Sequence, residues 1–193
     1  LHLCNKNMVK MDTNNDSKAK HDLLLDVCYA AKHEGESLKT YRDQYDAEYP
    51  SVSGHTTCTM LARSFADIGD IIRGRDLYLG NPQEKTKREQ LEDNLRKIFK
   101  QIHSDVTKTS GSNGKTLQAR YQGDAPTYYK LREDWWALNR EKVWSAITCN
   151  AGGGKYFRNT CDGGQNPTET QNNCRCINFS VPTYFDYVPQ YLR

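Results

Sequence analysis

CTMLARSFADIGDIIRGRDLYLG, residues 58–80, is the stretch whose spacing decides the fold. Cys58, Leu61, Phe65, Ile68 and Ile72 recur three or four residues apart, which places them on one face of an α-helix. Gly74 supplies the stop. Asp67 and Asp70 lie three apart in this helix, flanked by Ile68, Ile71 and Ile72. In that setting they read as acceptors of buried hydrogen bonds, or as partners of Arg63 and Arg73, rather than as a catalytic pair.

The same period extends in both directions. Upstream, residues 19–45 carry Leu24, Val27 and Ala31 on one face, with a break expected at Gly35. Downstream, Asn81-Pro82 opens a third helix, whose apolar stripe is Leu91, Leu95, Ile98 and Ile102. Glu92/Arg96 and Asp93/Lys97 form acid-before-base pairs on its polar faces. Residues 104–125, rich in Gly, Ser, Thr and Lys with only Leu117 and Tyr121 to bury, predict a long flexible loop. Thr127 is the expected cap of a fourth helix. One of its faces carries Tyr128, Leu131, Trp135 and Leu138, and an adjacent one Trp136, Val143 and Ile147, a stripe wide enough for a central position.

After Cys149 the composition changes. Gly152-Gly153-Gly154, Gly163-Gly164 and Asn172-Asn173 surround Cys161, Cys174 and Cys176, which argues against regular structure there. Aromatic residues return with Tyr184, Phe185, Tyr187 and Tyr191. With no strand runs, repeats or heptads, the fold class is all-α, with Phe65, Ile68, Ile72, Trp135 and Trp144 as structural core.

The 193 residues suffice for one ordinary domain or two small ones. Mean hydropathy is -0.88, and no run approaches the apolar length of a membrane-spanning helix. The net charge of +3 is too mild for a dedicated nucleic-acid binder, and no nucleic-acid partner is expected. The charge is unevenly spread, about −2 through Met60 and about +5 beyond it, which allows a weakly basic face. Seven Cys in a polar, loop-rich chain fit an oxidised extracellular framework, and the odd count leaves at least one thiol to look outside the segment, stay free or bind something else. The chain opens at Leu1 without a targeting segment and reads as a piece of a longer polypeptide.

His2, His21, His33, His55 and His103 show no helix-facing ligand spacing, and Cys174-Arg175-Cys176 with Cys161 lacks the usual zinc-site pattern. No metal and no cofactor are expected. Gly152-Gly153-Gly154-Lys155 lacks the Walker spacing and reads as a turn. No nucleophile and base pair up, so an enzyme is not expected. Asn15-Asp16-Ser17 and Asn178-Phe179-Ser180 are glycosylation sequons, short enough to arise by chance. Trp135, Trp136 and Trp144 could stack on a sugar, but helical spacing favours core packing.

The run LARSFADIGDIIRGRDLYLG within residues 58–80 resembles the signature helix of the Duffy-binding-like domains of malaria parasites. LREDWWALNREKVWSAITC, residues 131–149, is similar to their Trp-Trp helix, and CRC at 174–176 followed by VPTYFDYVPQYLR matches the next landmark. LHLCNKNM at the start and DVCYAAKHEG at 26–35 agree, so the resemblance spans nearly the whole chain. The combination is similar to the alpha class near the N-terminus of erythrocyte membrane protein 1, the variant adhesin family of Plasmodium falciparum.

This resemblance implies a disulfide-braced helical bundle with long irregular loops, truncated relative to the full domain. It divides the chain into 1–16, the remnant of a first subdomain, 17–165, a central helical subdomain, and 166–193, the start of a third. It implies display on the extracellular face of the infected erythrocyte membrane, and adhesion or rosetting through host erythrocyte or endothelial receptors. Heparan sulfate-like or blood-group glycans are the expected glycan partners, and neighbouring domains of the same adhesin the other contacts. The alternative is a structural spacer and antigenically variable shell. By analogy with the family's bridges, Cys28–Cys149 and Cys58–Cys161 are the expected disulfides, leaving Cys4, Cys174 and Cys176 to missing flanks. For sulfated glycans the candidate contacts are Arg96, Lys97 and Lys100 on the third helix, with Lys108 and Lys115 beside it. The blander reading of each is a solvated helix face with internal ion pairs.

Overall fold

The computed structural model describes residues 19–48, 56–77, 80–108, 112–152, 154–163 and 165–193. His2, Cys4, His55, the Asn15-Asp16-Ser17 sequon and the whole 1–16 segment lie outside the described residues. Among the described residues, five α-helices, α1 (Ala19–Glu48), α2 (Thr56–Arg73), α3 (Pro82–Lys108), α4 (Ser112–Arg120) and α5 (Tyr129–Ile147), are followed by an irregular segment with short 3-10 turns at Phe185–Tyr187 and Gln190–Leu192. Among the described residues there is no strand, only an isolated antiparallel bridge between Cys161 and Thr168. The all-α class follows.

α2 forms where its spacing requires it. Cys58, Leu61, Ala62, Phe65, Ile68 and Ile72 are all buried on one face. Its end is closed by Gly74 at φ 70°, a left-handed conformation that glycine adopts without Cβ strain. Gly74 N donates to Ile71 O and Arg75 N to Asp70 O, at 3.1 and 2.7 Å. Arg132 also donates to this last turn, from Nε to Ile72 O and from Nη2 to Ile71 O, which thus accepts twice. A buried guanidinium thus completes the helix end that backbone donors leave open.

α1 runs through Gly35 without the expected break. A Cβ at position 35 would sit 2.0 Å from Ile147 O, so glycine here permits close approach of α1 to α5 rather than a turn. The contacts fix directions: Ser64 Oγ donates to Glu34 Oε1 and Arg42 to Thr57 Oγ1, so α1 and α2 are antiparallel. Gly35 faces Ile147, and Asn150 just beyond α5 donates to Glu36, so α1 and α5 are parallel.

α5 is central. Leu131, Arg132, Trp135, Trp136, Asn139, Val143, Trp144 and Ile147 are buried around most of its circumference. Trp136 packs against Gly69, where a Cβ would come within 2.8 Å of the indole, and Phe65 lies 5.1 and 5.2 Å from the Trp136 and Trp144 rings. Phe65, Ile68, Ile72, Trp135 and Trp144 lie inside one continuous core. Leu138, placed on the buried face by its spacing, is instead 75% exposed. The cap is Asp124, not Thr127: its carboxylate accepts from Lys130 N and Leu131 N at 2.9 and 3.0 Å, while Tyr128 takes the left-handed φ of 56° that turns the chain into the helix.

Asn81 caps α3 as its position suggests, with Oδ1 accepting from Glu84 N at 2.9 Å. The expected loop at 104–125 is largely helical: α3 continues to Lys108 and α4 covers Ser112–Arg120. A few anchors hold this polar stretch. Leu117 packs on the core, Gln118 Nε2 donates to Thr107 O at 2.6 Å, and buried Tyr121 donates through its hydroxyl to Asp134.

Both expected disulfides are corrected. Cys58 bonds Cys174 and Cys161 bonds Cys176, each with a Cα separation of 5.4 Å, while Cys28 and Cys149 are thiols. The 148–176 segment folds back so that Cys174 N donates to Gly154 O and Cys174 O accepts from Trp144 Nε1, which brings Cys174 rather than Cys161 to the start of α2. Parallel packing explains the second correction. Cys149 lies beside Glu36, eight residues and roughly 12 Å along α1 from Cys28, beyond disulfide reach.

Candidate interaction surface

The candidate cations sit on α3 and α4. Arg96, Lys97 and Lys100 are exposed within little more than one turn of α3, opposite the buried row Leu91, Leu95, Ile98 and Ile102. Lys108 ends α3, eight residues and roughly 12 Å beyond Lys100, and Lys115 is exposed on α4. The fold therefore gathers the first three and sets the other two apart. Arg96 Nε donates to Glu92 Oε1 at 3.2 Å, and Glu92 also accepts from fully buried Arg132 at 2.7 and 2.9 Å. Glu92 is thus shared between core and surface, so Arg96 is partly neutralised, whereas Lys97 and Lys100 project as ammonium groups on a rigid helix.

α4 adds a second charged site. Exposed Arg120 grips Asp134 through Nε and Nη2, both at 2.5 Å, and Tyr121 donates to the same carboxylate. The guanidinium holds the Asp134 carboxyl below the usual range, while burial and the adjacent carboxylate push Tyr121 up to about 12. His103 lies against the Tyr121 and Tyr128 rings at 6.3 and 5.3 Å and ties α3 to this turn.

The end of the chain is fixed to α2 and α5 by a buried ionic hub that periodicity did not reveal. Asp186, fully buried, accepts from Trp136 Nε1 at 2.9 Å and from Arg140 Nε and Nη2 at 2.8 Å. Arg140 also lies 5.7 Å from the Phe65 ring and 5.3 and 5.4 Å from Tyr184 and Tyr187. Arg73, 1% exposed, donates to Gly69 O, Asp70, Glu133 and the Asp186 carbonyl. Arg193 reaches back to Asp67 at 3.1 Å and to Asp70. Asp67 and Asp70 are thus hydrogen-bonded ion-pair partners as the sequence suggested, with Arg193 in the role given to Arg63. Burial outweighs Arg193 and pushes Asp67 up to about 6, and Asp70 is raised for the same reason. The only signal of this hub in the sequence was the DYVPQYLR landmark, because a buried arginine leaves no periodic trace.

Among the described residues no helix is long and apolar enough to cross a membrane, and no group of three or more His, Cys, Asp or Glu is placed to hold a metal ion.

The described residues define a class of fold: a helical scaffold locked by two disulfides and by buried arginines. The chain belongs to the Duffy binding domain family, whose profile matches residues 1–193. It is similar to the solved NTS-DBL1(alpha-1) domain of Plasmodium falciparum membrane protein 1 (PfEMP1) from the varO strain, with 37% identity and a TM-score of 0.74 over 99% of this chain and 40% of that one. The varO double domain of NTS-DBL1-alpha and CIDR-gamma matches at 38% identity and TM-score 0.77, over 99% of this chain and 25% of that one. The ICAM-1-binding PfEMP1 IT4var13 DBLbeta domain matches at 29% identity and TM-score 0.68, covering 100% and 39%. This chain spans about two-fifths or less of these relatives. No curated protein matches it.

Proposed function

We propose that the chain is part of a host-cell adhesion module of a variant surface antigen, displayed on the extracellular face of the infected erythrocyte membrane. The observation that carries the reading is likeness over 99–100% of its length to PfEMP1 domains, one of which is described as binding ICAM-1. Cytoadherence or rosetting through an erythrocyte or endothelial receptor, or through a heparan sulfate-like or blood-group glycan, is the activity this supports. The subdomain limits at 16 and 165 and the cooperation of neighbouring domains belong to the same proposal.

Arg96, Lys97 and Lys100 are the contacts we assign to a sulfated glycan. A packed helix holds the three charges in register, and a polyanion would meet them without ordering a loop. Reversing all three to Glu, with helicity and disulfides verified, is expected to advance elution from heparin to lower salt and to reduce capture of erythrocytes by immobilised protein. Unchanged retention removes the patch from the proposal. The second reading is a structural spacer and antigenically variable shell, with binding carried by neighbouring domains. Failure of the longer domain, as well as this chain, to capture cells would select it.

A further inference from the structure

A carboxylate is already seated on the cation patch of α3. Glu92 Oε1 accepts from Arg96 Nε at 3.2 Å, one helical turn along. Its own place is fixed from the core: Arg132 donates from Nη1 to Oε1 at 2.7 Å and from Nη2 to Oε2 at 2.9 Å, a bidentate grip on both oxygens. Arg132 is fully buried, anchored in turn by the Ile71 and Ile72 carbonyls, and its guanidinium lies 5.5 Å from the Phe99 ring. An ordinary surface pair opens readily when a stronger anion arrives. Here the acid can release Arg96 but cannot swing away from it. Every one of these contacts is made within α2, α3 and α5.

An incoming anion therefore meets three unequal cations. Lys97 and Lys100 have no acidic partner among the described residues, whereas Arg96 is shared with Glu92. Because Glu92 belongs to the same helix, its effective concentration at Arg96 is far above that of any ligand group of equal strength. A ligand carboxylate offers Arg96 only what it already has, and is repelled by a carboxylate that stays in place. A sulfate brings three oxygens, and a cluster of sulfates can bridge Lys97, Lys100 and the Nη edge of Arg96 together.

We propose that Glu92, held in place by Arg132, is the specificity-determining residue of this surface: it turns away glycans whose anions are carboxylates alone and admits those that carry clustered sulfates. The inference rests on the assignment of Arg96, Lys97 and Lys100 to a sulfated glycan, and adds to it the element that repels the wrong ligand. Glu92 acts through Arg96, and Arg132 is a positioning residue that acts through Glu92.

The test compares affinity for immobilised heparin with affinity for immobilised hyaluronate, whose charges are carboxylates only, in this chain and in the longer domain, with helicity and disulfides verified. Glu92→Gln keeps an oxygen for Arg132 and removes the charge. Glu89→Gln removes an equal charge from a pair with Lys85 on the same helix and serves as the control. Expected is later elution of Glu92→Gln from both columns and a fall of about threefold or more in the ratio of heparin to hyaluronate affinity, with the ratio of Glu89→Gln as in the parent. An unchanged ratio in Glu92→Gln, or an equal fall in Glu89→Gln, overturns the inference. A second set leaves the core contacts intact. Arg96→Ala should advance elution from heparin roughly half as far or less than Lys97→Ala or Lys100→Ala, because Arg96 is already partly satisfied. An equal or larger advance overturns the inference as well, as does a different order in the longer domain. A parent that heparin does not retain removes the glycan assignment itself, and the inference with it.

Discussion

The helical platform and the segment after Cys149 are built by different physics. In the platform, α1, α2, α3 and α5 bury contiguous apolar stripes that each helix carries in its own sequence. In residues 150–193 few side chains are apolar and buried, and the segment is held by Cys58–Cys174, Cys161–Cys176 and the Asp186 hub. A stripe can lose one methylene group and still pack. A cross-link or a buried ion pair fails as a unit, because its partner is left alone.

The sharpest way to test this contrast is to remove the long cross-link. Cys58→Ala with Cys174→Ala frees a loop with a sequence separation of 116 and should cost about 5 kcal/mol, against about 3 for removal of the 15-residue Cys161–Cys176 loop. Urea denaturation of both double variants would show it, and equal losses would mean that loop length does not set their contribution.

Asp186→Ala comes next. It strips Arg140 and Trp136 Nε1 of their acceptor and should cost roughly 3–5 kcal/mol, with amide exchange rising first in residues 183–193. A loss below about 1 kcal/mol would show that the hub does not hold the segment. Within the platform, Gly35→Ala sets a methyl against Ile147 O and should cost about 1–3 kcal/mol by forcing α1 from α5. A neutral outcome in thermal unfolding would contradict the parallel contact between them.

The smallest effect is a pH dependence. Asp67 has a folded pKa of about 6 against an ordinary value of 3.8, so the native state binds this proton more tightly than the unfolded state. Its contribution is fully present below about pH 4 and is lost as the pH rises through 6. Asp67→Asn mimics the protonated form, so it should be more stable than the parent at pH 7.5 and gain nothing at pH 4. A difference that does not change between those two pH values would place Asp67 in a solvated site.

Much of the platform was legible because burial in a helix recurs with the helix turn. The core positions Phe65, Ile68 and Ile72 and the Asn81 cap could be read directly from spacing. Leu138 could not, since period alone does not tell which edge of a wide stripe faces a neighbour. α4 was missed because its anchors, Leu117, Gln118 and Tyr121, act through partners on α3 and α5 rather than through a stripe of their own. Of the candidate surface, exposure of the five cations was legible. That Glu92 is shared with Arg132, and so weakens Arg96, was not.

By itself the sequence determined an all-helical, cysteine-braced chain of the Duffy-binding kind, because apolar periodicity and ordered motifs are local properties of the polymer. Which cysteines join, where Gly35 meets Ile147 and which arginines are buried were decided only in three dimensions. Those choices depend on distances between residues up to 126 positions apart, and such distances exist only once the helices have packed.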